Sequence, residues 1–326
     1  MNPFIRDSFK KDAFYSVVSW IVLLSLYFIF NDHGIQDIIT KVAILGLFAM
    51  SLNILVGYLG LIAFGHATFF AAGAYTLGLF LQSDFVNIYN IGPWSIPIAL
   101  ILSILLPGIL ATIIGAICIR LREIYFSFLT LAFQMVIYSI ILALVSITGG
   151  DQGLMGGFSK PPFLGIDLGN HFHFYAFTTF IVILAIFLMR QMIESPFGYG
   201  LRLIRDNHER PAALGFNIRS HQLLAFIIAG SLAGLAGSLQ ALLDVGAYPE
   251  WAYWSKSAEP LFMILLGGMQ TFLGPLLGAL IFELLNDFVA ANTRYYGLVL
   301  GLVILFFVLG FRKGLLDWII LKGRKN

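Results

Sequence analysis

Apolar runs approaching twenty residues recur along the whole chain, separated by short clusters of charge, proline and glycine. A helix of that length crosses the roughly 30 Å hydrocarbon core of a bilayer. About ten such spans are expected, at 14–30, 38–56, 61–81, 94–119, 124–148, 172–189, 222–243, 259–269, 274–291 and 297–311, the eighth being too short to cross alone. Lipid offers no partner to an unpaired strand edge, and the alternation of barrel strands is missing, so the spans are expected as helices. Composition agrees: of 326 residues, 59% are hydrophobic and 11% charged, against about 45–50% and about 25% in soluble domains. The expectation is an all-α fold, one polytopic transmembrane helix bundle over 1–326 with two broken or re-entrant regions and no room for a second, soluble domain.

Charge supplies an orientation. Fifteen of the nineteen basic residues fall in segments 6–11, 120–122, 190–219 and 312–325, leaving Lys41, Lys160, Lys256 and Arg294 elsewhere. Excess Lys and Arg marks the cytosolic side, which places both termini there and requires an even number of spans. The run from Phe14 exceeds a signal-peptide core and lacks a cleavage motif, so it is expected as a retained first span. A net charge of +2 gives no reason to invoke nucleic acid.

Several chemistries are excluded by missing residues. The one cysteine, Cys118, allows neither an internal disulfide nor a multi-cysteine metal site and is expected as a buried small apolar residue. There is no Gly-x-x-x-x-Gly-Lys-[Ser/Thr] loop, no Gly-x-Ser-x-Gly elbow and no His-Glu-x-x-His. Neither a catalytic centre nor a cofactor or metal is expected, and energy for any work must come from another polypeptide or an ion gradient.

Glycine interrupts two apolar runs near the cytosolic side, at Gly57-Tyr58-Leu59-Gly60 and from Gly267-Gly268 to Gly274-Pro275. Paired breaks point to an inverted repeat and a transport path. A strict five-span shift would instead match the second and third spans with the seventh and eighth. Asn53, Gly57, His66, Gly267, Gly268 and Glu283 are the candidates for that path. His66 sits where a helix N-terminus is expected and is either a hydrogen-bonded packing residue or a group near an anion-favouring helix end. Glu283 and Asp287 share a helix face, and either bond between helices or line the path, because carboxylates avoid lipid. Small residues such as Gly230, Gly234, Gly237 and Gly301 are expected to bring helices close together. Outer segments 148–170 and 244–258, with Tyr248, Trp251, Tyr253 and Trp254, either receive an extracytoplasmic protein or anchor the interface.

Segment 194–221 is polar and basic between two apolar spans, with Leu201, Ile204 and Leu214 as an apolar edge. An amphipathic element of this kind docks on a soluble partner, or else is a solvated loop that serves orientation alone.

The polar loop holds Ser195-Pro196-Phe197-Gly198, Arg202-Leu203-Ile204-Arg205-Asp206-Asn207 and Ala213-Leu214-Gly215, and earlier in the chain stand Ser51 to Tyr58 with Phe64-Gly65-His66-Ala67. Thr148-Gly149-Gly150-Asp151-Gln152-Gly153-Leu154 and Gly274-Pro275-Leu276-Leu277-Gly278-Ala279 add to them. Together, and in their order along the chain, these motifs resemble those of the branched-chain amino acid importer permeases. The likeness covers most of the chain. His208-Glu209-Arg210-Pro211 departs from it, replacing an Ala- and acid-rich helical run. The resemblance implies a channel-forming subunit of an ATP-driven importer in the bacterial inner (plasma) membrane, and of the heteromeric pair it suggests the member with the longer middle loop. Implied partners are a homologous second permease, two ATP-hydrolysing subunits and a periplasmic or extracellular solute-binding protein, with lipid as solvent. The coupling loop 194–221 would carry Phe197, Gly198, Arg202, Arg205, Asp206, Asn207, Leu214 and Gly215. Branched-chain amino acids are the expected cargo; urea or short amides on the same architecture, a gradient-driven secondary transporter and a structural membrane subunit are the competing expectations.

Overall fold

The computed structural model describes residues 3–29, 32–83, 92–121, 123–155, 162, 167–207, 211, 215, 217–292, 295, 297–299, 301–302 and 305–306. Among the described residues, ten α-helices of eleven residues or more carry the fold: α1 (Pro3–Ile29), α2 (His33–Asn53), α3 (Ala67–Gln82), α4 (Ser95–Cys118), α5 (Glu123–Ala143), α6 (His171–Ile193), α7 (Pro196–Asp206), α8 (Ile218–Asp244), α9 (Trp254–Gly267) and α10 (Gly274–Asn292). No strand occurs among the described residues; one antiparallel bridge, Leu154 to Ala247, ties the stretch after α5 to the stretch after α8. Helix starts follow local chemistry. Asp32 accepts from the Gly34 N–H at 2.9 Å, Asn170 from Phe172 at 3.0 Å and Asn217 from Ser220 at 3.2 Å, each satisfying a donor that the helix leaves orphaned.

Among the described residues, six helices are long and apolar enough to cross a membrane: His33–Leu59, Gly92–Cys118, Ile124–Ala143, His171–Ile193, Ile218–Asp244 and Gly274–Asn292. The expectation of about ten changes in specific places. The third expected span begins only at Ala67 and is a 16-residue helix, about 24 Å at the helical rise. The eighth is 14 residues long, about 21 Å. The fifth stops at Ala143, and the chain resumes as a separate turn, Val145–Thr148. Most of 297–311 lies outside the described residues, as do the last twenty residues that would fix the side of the C-terminus.

α2 lies at the centre, buried from Val42 to Leu55. It continues without a break into a π-helix, Ile54–Leu59, that ends at Gly60 in the left-handed region, φ 80°. α8 crosses α3 where a Cβ on Gly73 would strike the Gly234 carbonyl and one on Gly237 the Phe70 carbonyl. Only hydrogen at these positions allows the two backbones to touch, the packing expected of the small-residue stripe. Gly108 lies against Ser231 and Gly115 against Phe226, so α4 runs antiparallel to α8. Cys118 is buried with no exposure, as expected.

The five-span offset has a structural counterpart. α2 is followed by a non-helical stretch and the short α3; α8 is followed by a stretch containing only the 3-10 turn Pro249–Ala252 and then the short α9. The first turns of the two short helices meet: the Ala67 N–H donates to Ser257 Oγ at 2.9 Å. Ser257 donates to Gln134 Oε1 at 2.8 Å, and Gln134 Nε2 donates to the Ala252 and Tyr253 carbonyls at 3.0 and 2.8 Å. One serine and one glutamine thereby satisfy backbone groups that two broken helices leave bare in an apolar interior.

Candidate functional site

α7 owes its place to a tight corner. Pro196 occupies its first turn, where no N–H is needed, and a Cβ on Gly198 would collide with the Ile193 carbonyl of α6. The helix is amphipathic, but its faces are the reverse of the sequence expectation. Leu201 and Ile204 are fully buried in the bundle and so are not the docking edge. Tyr199 and Leu203 are 57% and 46% exposed, and Asp206 is exposed with them. Their spacing of four and three places them on one outward stripe. Leu214, the third residue of the expected edge, lies outside the described residues, as do 208–210.

The inward face of α7 grips the end of α2. Arg205 Nη1 donates to the Gly57 carbonyl in the π-turn. The Arg202 guanidinium lies 5.3 Å from the Tyr58 ring centroid and 5.1 Å from that of Tyr199, and it donates to the Ile193 carbonyl at 3.3 Å. Arginine presents a planar guanidinium that stacks on aromatic faces and donates to carbonyls at the same time. Gly60 brings its backbone against the Arg205 side chain. Phe197 stacks on His221 at the start of α8, ring centroids 5.7 Å apart. Asn207 is exposed beyond the end of α7, and Gly215 takes the left-handed conformation before α8.

The same turn of α2 touches the second break. Asn53 Nδ2 donates to the Met269 carbonyl at 3.4 Å across 216 residues of sequence. A Cβ on Gly57 would strike Asn53 Oδ1 and approach the Met269 carbonyl to 2.6 Å. Gly267 is pressed on the Gly274 carbonyl, and Gly268, φ 117°, turns the chain between α9 and α10. Asn53, Gly57, Gly267 and Gly268 therefore converge with Arg202 and Arg205 on one junction of three elements. π-turns of this kind occur often at functional positions, because one extra residue per turn loosens the backbone ladder locally.

The other two path candidates lie elsewhere. His66 is fully buried before α3, its Nε2 2.9 Å from Ser51 Oγ and its ring stacked on Phe48 at 5.5 Å. Glu283 is 1% exposed and forms an ion pair with Lys41 of α2. Lys41, one of the four basic residues outside the basic segments, is thus an interhelical contact. Asp37, Asp244 and Asp287 join this pair around a cavity of about 190 Å³. A second pair, Arg190 with Asp12 at 3.0 Å, ties α6 to α1. No group of three or more potential metal ligands occurs among the described residues.

Sequence reasoning missed the Met269 carbonyl, Ser257 and Gln134, which carry no local signal. It also missed Tyr199 and Leu203, which helical spacing with Asp206 does signal.

Comparison with known proteins agrees with this architecture. A family model described as "Branched-chain amino acid transport system / permease component" matches residues 34–308. The chain is 27% identical to the high-affinity branched-chain amino acid transport system permease protein LivM of Escherichia coli K12, over 96% of this chain and 77% of that protein. It is 26% identical to the LivM of Salmonella typhimurium, with the same coverage. A probable branched-chain amino acid transport permease protein LivM of Methanocaldococcus jannaschii is 28% identical over 76% of this chain and 79% of its own length. No solved structure matches. With several apolar helices of spanning length and a family match over most of its residues, the chain is a multi-pass membrane protein that belongs to the permease components of branched-chain amino acid transport systems.

Proposed function

We propose that this chain is the channel-forming permease of an ATP-driven importer of branched-chain amino acids in the inner (plasma) membrane. ATP is hydrolysed on two separate subunits, a homologous second permease completes the conduit, and an extracytoplasmic binding protein delivers the solute. The observation that carries this reading is the two-faced α7: Leu201, Ile204 and Arg205 hold it to the bundle while Tyr199, Leu203 and Asp206 stand outward. A short amphipathic helix seated in a partner's groove transmits force only if its other face is fixed. On this reading, closure of the ATPases moves α7, and Arg205 carries the motion to Gly57 and through Asn53 to the turn between α9 and α10. Asn53, Gly57, Gly267 and Gly268 then act as the joint that changes access to the conduit, while His66 and Glu283 hold helices in place beside it. The basic ends at Arg120, Arg190, Arg202, Arg205 and Arg219 face the cytosol.

Charge reversal at Arg202 and Arg205 in the full reconstituted complex tests the proposal. Uptake and binding-protein-stimulated ATP hydrolysis should both be abolished while the assembly survives. Undiminished coupling in the double variant would refute it.

A further inference from the structure

At the end of the bundle that holds α7, α4 and α8 part company. Gly115 of α4 packs closely on α8, since a Cβ there would meet Phe226 at 2.8 Å and Leu223 at 3.0 Å. Beyond it a cavity of about 360 Å³ opens between the helix ends, lined by Ala116 and Ile119 on one side and Leu223 and Ser220 on the other, with Arg120 and Arg219 at its mouth. Among the described residues neither arginine takes part in an ion pair. The first turn of α8, with its partial positive charge, adds to the field of Arg219; Arg120 offsets the partial negative end of α4.

From this charged mouth an apolar strip runs along the helices. Ile117 and Ile113 lie three and seven residues before Arg120, on the same face of α4, and are 47% and 57% exposed; Leu224 on α8 is 50% exposed. Two guanidinium groups at the end of membrane-length helices suit a phosphodiester, and the furrow and strip suit an acyl chain. A soluble acidic partner would need the arginines but not the strip, and free phosphate would need neither furrow nor strip.

We propose that the cleft between the end of α4 and the start of α8 is a binding site for an anionic phospholipid, with its phosphate at Arg120 and Arg219 and a chain against Ala116, Ile117 and Leu223. The site is distinct from the α7 junction and does not depend on how that junction works.

Native mass spectrometry of the full chain in detergent, titrated with dioleoyl-phosphatidylglycerol or dioleoyl-phosphatidylcholine, tests it. Wild type should retain the anionic lipid at least about tenfold better than the zwitterionic one. R120Q/R219Q should reduce that preference to parity. A116W, which fills the furrow and spares both arginines, should reduce it as well, so the test does not hang on one variant. Millimolar inorganic phosphate should not displace the lipid. Equal retention of the two lipids, an unchanged preference in R120Q/R219Q, or full displacement by phosphate would overturn the proposal.

Discussion

The α7 junction and the Lys41–Glu283 pair join distant parts of the chain by opposite means. At the junction the bonds run to backbone carbonyls of Gly57, Met269 and Ile193, glycine makes the close approaches, and no ion pair between described residues is involved. At the pair, a carboxylate with 1% exposure is neutralised by one lysine, with Asp37, Asp244 and Asp287 crowding the same cavity. A carbonyl released by an arginine can take another donor or a water at a cost of about 1 kcal/mol. A buried carboxylate stripped of its cation has no such recourse. The bonds of the junction are therefore cheap to break and remake, whereas separating α2 from α10 at the ion pair is costly.

Filling the junction should have the largest effect. Gly57→Val places carbon where Met269 and Asn53 already stand, and the loss should be about 3 kcal/mol or more, read as a collapse in the yield of folded detergent-purified protein. Lys41→Met comes next. Because Lys41 is 36% exposed, the expected loss is about 2 kcal/mol, below that of a fully enclosed pair. Thermal unfolding measures it, and the double variant Lys41→Met with Glu283→Leu should recover most of the loss. If Lys41→Met is silent, the contrast between the two regions fails.

Arg205→Ala should cost about 1 kcal/mol in unfolding free energy yet greatly reduce binding-protein-stimulated ATP hydrolysis by the complex. The smallest structural effect belongs to Tyr199→Ala with Leu203→Ala, within about 0.5 kcal/mol because both side chains are already exposed. ATPase subunits should nevertheless dissociate more readily from this variant in size-exclusion chromatography. Unaltered co-elution would move the docking surface elsewhere on the chain.

Much of this organisation was legible in the sequence. Apolar runs declared the helices, and glycine marked both breaks, with Pro275 beside it at the second. Each of these signals is local, arising from hydration, backbone torsion or a missing N–H. Which break meets which was not legible, because the bond from Asn53 to Met269 spans 216 residues and ends on a carbonyl that every residue type carries. The pairing of Lys41 with Glu283 was hidden for the same reason. The faces of α7 were misassigned because amphipathicity defines an apolar side without naming what covers it, and here the bundle itself covers Leu201 and Ile204. His66 shows the same limit: its place before α3 was clear, its bond to Ser51 was not.

The most direct test compares solute uptake into proteoliposomes holding the full complex with uptake into liposomes holding the permease subunits alone. The account predicts concentrative uptake that requires ATP and the ATPase subunits, and none from the permeases without them. Accumulation at the full rate by the permeases alone would contradict it.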